Sequence, residues 1–358
     1  MEQIGEYVIK RLLGEGGMGR VYEAEERLSQ RRVALKVLRP DITKSEEGRR
    51  AFLNEMRILA LLEHRNLVRS LASMETDGQL VMVLELLDGR TLRDELSAGP
   101  LRWGRAVEIV VQIASALEVT HRQVPQIIHR DLKPENVMVI AKEGAPLTVK
   151  VMDFGVAKIL ESAARASTQS VGTLQYMSPE QIDATGVDGR SDLYALGLIF
   201  YEMLAGAPPF QSPSPRELLN LQCTKSPPPF SASLRSELPR GVVELIFALL
   251  AKNPDERPAN ASEVIRLLEP FRPQAEAIPG ESVPLDREPR SVAAAIPATP
   301  SGRQDTVAVL QSAPSAVRPR RAIATILVVS ALSFFATLGA RTFVSRVGPA
   351  PVASASAR

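Results

Sequence analysis

The apolar residues of this chain change period once, near Leu92, and that change limits the folds open to it. Before it, residues 7–13, 20–26, 32–38 and 79–86 read as strands. One helix interrupts them over residues 46–62, where Phe52, Met56, Leu59 and Ala60 fall at helical spacing. After it the pattern is helical: residues 106–119 are amphipathic to buried, and residues 192–204 are apolar nearly all round, as a central helix is. Shorter helices fit residues 215–222, 242–250 and 261–268, between proline punctuations. Strands gathered first and helices afterwards predict an α+β chain: a small sheet-plus-helix lobe over about 7–86, then a mainly helical lobe over about 90–270.

The folding pattern stops near Pro270. Residues 271–318 are rich in Pro, Ala, Ser, Glu and Arg, a composition that buries too little apolar surface to offset the entropy of ordering. As a coil this linker would span about 40 Å on average. Residues 322–340 then run for 19 positions without a charge, the length of a helix that crosses a hydrocarbon core, and a membrane span is expected there. Residues 341–358 would form a short extracytoplasmic tail. Arg318, Arg320 and Arg321 precede the span while Arg341 and Arg346 follow it, which favours a cytoplasmic N-terminal side in the cell membrane. The first residues lack the apolar core of a signal peptide, in line with that orientation. Small residues in the span, Gly339 and Ala340 among them, could pack two copies together, so a homodimer stays open.

Charge and cysteine content exclude other classes. Residues 271–358 carry ten Arg, no Lys and five acids, a net of +5, so the whole-chain charge of +2 leaves residues 1–270 at −3. The folded part has no basic stripe for nucleic acid. One cysteine, Cys223, and three scattered histidines rule out an internal disulfide and a Cys/His metal site.

Chemistry concentrates in one stretch, His129-Arg-Asp-Leu-Lys-Pro-Glu-Asn136, followed by Asp153-Phe154-Gly155. Together they supply two carboxylates, a lysine and an amide, the set that holds a divalent cation, a polyphosphate and an attacking hydroxyl. Upstream, Gly14-x-Gly16-x-x-Gly19-x-Val21 lets backbone amides close over phosphates without a Cβ in the way. In a dinucleotide-binding turn such glycines open a helix, whereas here a strand follows. Val33-Ala34-Leu35-Lys36 lies on the third strand. In this order the motifs resemble the protein kinase family over residues 7–270. The resemblance implies a two-lobed protein kinase fold, ATP as phosphoryl donor with Mg2+ (Mn2+ as the alternative), and protein acceptors.

It also implies roles residue by residue. Leu13, Gly14, Glu15, Gly16, Gly17, Met18, Gly19, Val21 and Ala34 would enclose ATP, and Lys36 would contact its phosphates with Glu55 as ion-pair partner. Backbone groups of Glu85 and Leu87 would bond adenine, with Leu84 at the back of the pocket. Asp131 would orient the acceptor hydroxyl and take its proton, and Lys133 would neutralise charge on the transferred group. Asn136 and Asp153 would ligate the metal. His129 would brace the loop, Glu180 would pair with Arg257, and Asp192 would support the catalytic stretch. Lys133, with Gly172-Thr173 ahead of Ser178-Pro179-Glu180, is similar to the serine/threonine branch, so the acceptors would be Ser or Thr and Thr173 would shape their pocket. Arg130 could bind a phosphate on the activation segment, for which Ser167, Thr168 and Ser170 are candidates. A kinase domain ahead of a single span is most similar to the eukaryotic-like serine/threonine kinases of bacteria, in membrane-linked signalling. Two other classes stay open: a kinase-like binding module without turnover, and a membrane-tethered scaffold acting through its linker.

Overall fold

The computed structural model describes residues 2–16, 19–39, 45–154 and 174–273. Gly17, Met18, Gly155, Ser167, Thr168, Ser170, Thr173, residues 274–318 of the linker and residues 322–340 lie outside them; the linker's first residue, Phe271, instead closes a 3-10 turn and packs against the core, so the fold runs past Pro270. Among the described residues no helix is long and apolar enough to cross a membrane.

Strands β1 (Gln3–Ile4), β2 (Tyr7–Glu15), β3 (Gly19–Glu26), β4 (Arg32–Leu38), β5 (Ser70–Thr76) and β6 (Gln79–Glu85) form one antiparallel sheet in the order β1-β2-β3-β4-β6-β5. β4 lies inside it, and the period of two sends its side chains into two cores. Val33, Leu35 and Val37 join Ala24, Val81 and Val83 in a small cluster on one face. Ala34 and Leu38 face the other way with Leu80, Met82 and Leu84, and there they meet helix α1 (Glu46–Leu61). Lys36 shares that second face, a lone ammonium among apolar side chains. β2 extends to Glu15 and β3 starts at Gly19, so the glycine turn is shorter than predicted.

Helix α1 starts where the Ser45 side chain accepts the Gly48 N–H at 3.3 Å. Phe52, Met56, Leu59 and Leu62 turn inward, and Glu55 falls on the same face. Ala60 is a correction to the predicted face: it is exposed, and the exit at Leu62 carries the apolar surface instead. β5 was not predicted from the sequence, because its residues alternate polar and apolar types too weakly, with Glu75 and Thr76 at its end.

The second lobe is helical, as expected. It comprises helices α2 (Leu92–Leu96), α3 (Trp103–His121), α4 (Pro179–Ile182), α5 (Gly189–Ala205), α6 (Pro215–Thr224), α7 (Ala232–Glu237), α8 (Arg240–Leu249) and α9 (Ala261–Leu268); α5 packs against α3 and α8 and buries every residue from Gly189 to Leu204 except Arg190. Close packing explains one of its glycines: a Cβ on Gly197 would stand 2.7 Å from Leu249 Cβ, so glycine lets α5 and α8 approach. Removing a fully buried anchor here such as Phe200 would cost about 3–5 kcal/mol. α7 had no sequence prediction; it buries no residue, so it lacks the apolar stripe that marks a helix.

A second antiparallel sheet, with β7 (Arg90–Thr91) just ahead of α2 and β8 (Val137–Ile140) and β9 (Thr148–Val151) between α3 and α4, brings the motif stretch together. Residues 129–136 lead into β8, and Asp153 follows β9 directly. Asn66, from the loop after α1, ties the first lobe to this sheet: its Nδ2 donates to Val149 O and to Gln112 Oε1, each at 2.8 Å.

Candidate active site

The loop over residues 129–136 is held from beneath by a single buried carboxylate. Asp192, on α5, accepts the backbone N–H of His129 at 2.8 Å and of Arg130 at 2.9 Å, and hydrogen-bonds His121 Nε2 at 2.8 Å. Burial alone would raise the Asp192 carboxyl, but the His121 bond and these contacts outweigh it and hold it below its ordinary value. Arg130 adopts a φ of 65°, in the left-handed region that costs a non-glycine residue about 1–2 kcal/mol.

His129 has both ring nitrogens committed. Nε2 donates to Met152 O at 2.9 Å, Nδ1 accepts the Asp131 N–H at 3.3 Å, and the ring packs on Phe154 with centroids 4.7 Å apart. Burial pushes its pKa down, so the neutral ring is the form that fits this pattern. It therefore braces the loop against the turn at Asp153 and has no proton to trade.

Above that brace stand the charged side chains. Lys133 Nζ donates to Asp131 Oδ2 at 2.9 Å, and Asn136 Nδ2 donates to Asp131 O at 2.8 Å and to its Oδ2 at 3.3 Å. Lys36 Nζ donates to Glu55 Oε1 and to Asp153 Oδ1, each at 2.8 Å. Burial would depress the Lys36 ammonium, yet Asp153 and Glu55 reverse this and leave it above the ordinary lysine value. Lys36 in turn holds Asp153 below the usual carboxylate range, while burial pushes Glu55 up. Glu55 Oε2 is buried without a hydrogen-bond partner among the described residues.

The sheet side supplies the remaining predicted positions. Val21 lies opposite Lys36 in the β3–β4 register, and Ala34 opposite Leu84 in the β4–β6 register, so all four line up across neighbouring strands. Leu13 and Glu15 are exposed on β2. A Cβ built on Gly14 or Gly16 meets nothing within 4 Å, so the ligand-free fold itself does not require glycine there. Gly19 differs: its Cβ would stand 2.1 Å from Val37 O, and its place is in the sheet. Glu85 donates its N–H to Arg69 O at 3.0 Å, so only its carbonyl is left to serve as an adenine contact. Its side chain accepts from the Arg69 N–H and from Lys150, a tie that no motif announces.

Two further clusters frame the site. Arg257 donates Nη1 and Nη2 to Glu180 at 2.7 and 2.9 Å, and Ser191 Oγ donates to the same carboxylate at 2.6 Å. Arg93 donates Nε to Glu135 Oε1 at 2.8 Å and Nη1 to Glu202 Oε1 at 2.6 Å, and Tyr176 bonds both Arg93 and Glu202. The Arg93 cluster escaped sequence reasoning because its members are 26 to 109 positions apart with no motif between them.

The donor set suits a hard cation. Asp153 gives one oxygen to Lys36, and Asn136 gives its amide nitrogen to Asp131, so each keeps an oxygen that no described residue takes. Residues 7–267 match the family model described as protein kinase domain. The chain belongs to the protein kinase family. It is 38% identical over 292 residues to the serine/threonine-protein kinase pkn3 of Myxococcus xanthus, covering 79% of this chain and 52% of that one. It is 38% identical over 308 residues to PknB of Mycolicibacterium smegmatis, covering 83% and 47%. The chain thus spans about half the length, or less, of these curated relatives. Its kinase fold is similar to the crystal structure of the PknI kinase domain from Mycobacterium tuberculosis, with TM-score 0.58 and 27% identity over 75% of this chain and 98% of that one.

Proposed function

We propose that this kinase transfers the γ-phosphoryl group of ATP to Ser or Thr hydroxyls of proteins. The observation that carries the reading is the convergence of Lys36, Glu55, Asp153, Asp131, Lys133 and Asn136 by ion pairs and hydrogen bonds of 2.8–3.3 Å. A divalent cation, Mg2+ or Mn2+, held through Asp153 and Asn136 would supply charge neutralisation on the phosphates. Lys36 fixes the phosphates from the sheet side, and Glu55 fixes Lys36. Gly14 and Gly16 leave the space above them clear. Asp131 orients the acceptor hydroxyl and takes its proton, while Lys133 stands beside it to meet negative charge on the transferred group. The names of the serine/threonine-protein kinases it resembles support the Ser/Thr preference.

Regulation and placement extend the same proposal. Arg130 directly precedes Asp131, and a phosphate on Thr168, Ser167 or Ser170 would pair with it and order the activation segment through autophosphorylation. Residues 322–340 would anchor the chain in the cell membrane with the kinase domain on the cytoplasmic side, and two spans could pair.

Autophosphorylation of the full chain with Mg-ATP, wild type beside Asp131→Asn, tests the transfer. Phosphate should appear in the wild type, on residues 167–170, and fall by about 10²–10⁴-fold in the variant. Equal incorporation in both proteins would reject Asp131. ATP binding with no incorporation in either would favour the binding module. Thr168→Ala with unchanged activity and phosphate content would remove Thr168 as the switch, and fractionation of cells without recovery in the membrane would remove the anchor.

A further inference from the structure

The chain passes from the first sheet to the helical lobe through Leu86, Leu87 and Asp88, which belong to neither sheet. Both ends of that crossing are held. At the far end Gly89 lies so close to β8 that a Cβ on it would stand 2.5 Å from Val139 O, and Arg90 pairs with Val139. At the near end Glu85 is held by backbone and side chain alike. Its N–H donates to Arg69 O at 3.0 Å, its Oε1 accepts the Arg69 N–H at 2.8 Å, and the same oxygen accepts Lys150 Nζ.

Lys150 reaches Glu85 from β9, on the other lobe, and donates also to Leu67 O at 3.1 Å. Beside it the Val68 N–H donates to Val151 O at 3.0 Å and the Val151 N–H to Asn66 O at 2.8 Å. One ammonium therefore ties together the start of the crossing, the segment after α1 and β9. The pair is largely shielded, with the Lys150 side chain 14% and that of Glu85 25% exposed, so its attraction is screened less than that of a surface pair.

The tie runs parallel to the site. Glu85 ends β6, which pairs directly with β4 and so with Lys36, while Asp153 stands three residues beyond Lys150. Lys36 and Asp153 meet at 2.8 Å from the two sides. A nucleotide held between them leaves when the sheet and β9 draw apart, and the Lys150–Glu85 pair spans that same separation. We infer that Lys150 and Glu85 are positioning residues for the nucleotide: their ion pair clasps the sheet to β9 and sets how fast nucleotide is released. Both act through the placing of β6 and β9 rather than on the reacting atoms. The inference rests on the ATP reading above and adds what governs release.

The test is a stopped-flow chase of the fluorescent nucleotide MANT-ADP from the full chain with Mg2+, comparing wild type, Lys150→Met, Glu85→Gln and the double variant. Losing hydrogen bonds from a charged group should quicken release about 10-fold in Lys150→Met. Glu85→Gln keeps an acceptor for the Arg69 N–H, so it removes the charge alone and should quicken release by a smaller factor. The double variant should release no faster than Lys150→Met, because the two substitutions break one interaction. The KM for ATP should rise with release, kcat should not fall, and the KM for dephosphorylated casein should hold. Unchanged release in both single variants, effects that add in the double variant, or parallel rises in both KM values would each overturn the inference. Failure of the wild type to bind MANT-ADP would instead overturn the ATP reading, and the role of the clasp with it.

Discussion

Two buried ion pairs in this molecule have the same chemistry and opposite settings. Arg257 spends every nitrogen: Nε on Ala251 O, Nη1 on Glu180 and Arg190 O, Nη2 on Glu180 and Lys252 O. Glu180 has both oxygens bonded, and Ser191 as well. Lys36 divides itself between two carboxylates, one of which, Asp153, has a side chain 47% exposed, while Glu55 keeps an oxygen without a partner among the described residues. A fully satisfied pair holds architecture in place; an under-satisfied one, open on one side, is arranged for a ligand.

Breaking the satisfied pair gives the largest effect. Arg257→Ala leaves Glu180 buried and charged, and should lower unfolding free energy by about 3–5 kcal/mol, read from urea denaturation of the chain. Breaking the open pair separates function from fold. Lys36→Met should cut phosphoryl transfer by about 10²–10³-fold, while the midpoint of thermal unfolding falls less than in Arg257→Ala, because Asp153, half exposed, can turn to solvent. A large drop in Tm for Lys36→Met, or none for Arg257→Ala, would erase the distinction.

Acidification sharpens it further. Buried His129 and partly buried His64 have depressed pKa values, so around pH 6 the unfolded chain binds more protons than the folded one. Stability should fall as pH drops below the ordinary histidine value of about 6.5, and Asp192, also depressed, continues the fall below about pH 4. Thermal melts from pH 7 to pH 5 should show the decline, with a shallower slope in His129→Gln. The smallest effect belongs to Glu23, whose partners Arg11 and Arg32 lie largely in solvent. Glu23→Gln should cost no more than about 1 kcal/mol, with activity unchanged.

Much of the site was legible because its motifs are contiguous. Residues 129–136 and 153–155 announce their chemistry wherever the fold carries them, and the family resemblance named Glu55 as the partner of Lys36, which the ion pair bears out. Partner choice was less legible. That Lys36 reaches Asp153, 117 positions away in sequence, depends on tertiary approach, with Val151 at the end of β9 bridged to Leu67. The ties from Glu85 to Lys150 and from Arg93 to Glu202 likewise depend on tertiary approach. Ala60 misled because alanine is apolar enough to fit a stripe yet loses little by facing water, and Leu62 took the buried place. β5 and α7 carry no strong period, so neighbouring elements decide them.

The left-handed backbone at Arg130 has a bearing on how this position can vary. Glycine would adopt that φ freely, so Arg130→Gly should stabilise the ligand-free fold while removing the guanidinium. An arginine is nonetheless what stands there. Backbone and side chain therefore pull against each other at this one position: any variant chosen for a more stable fold gives up the cation that directly precedes Asp131.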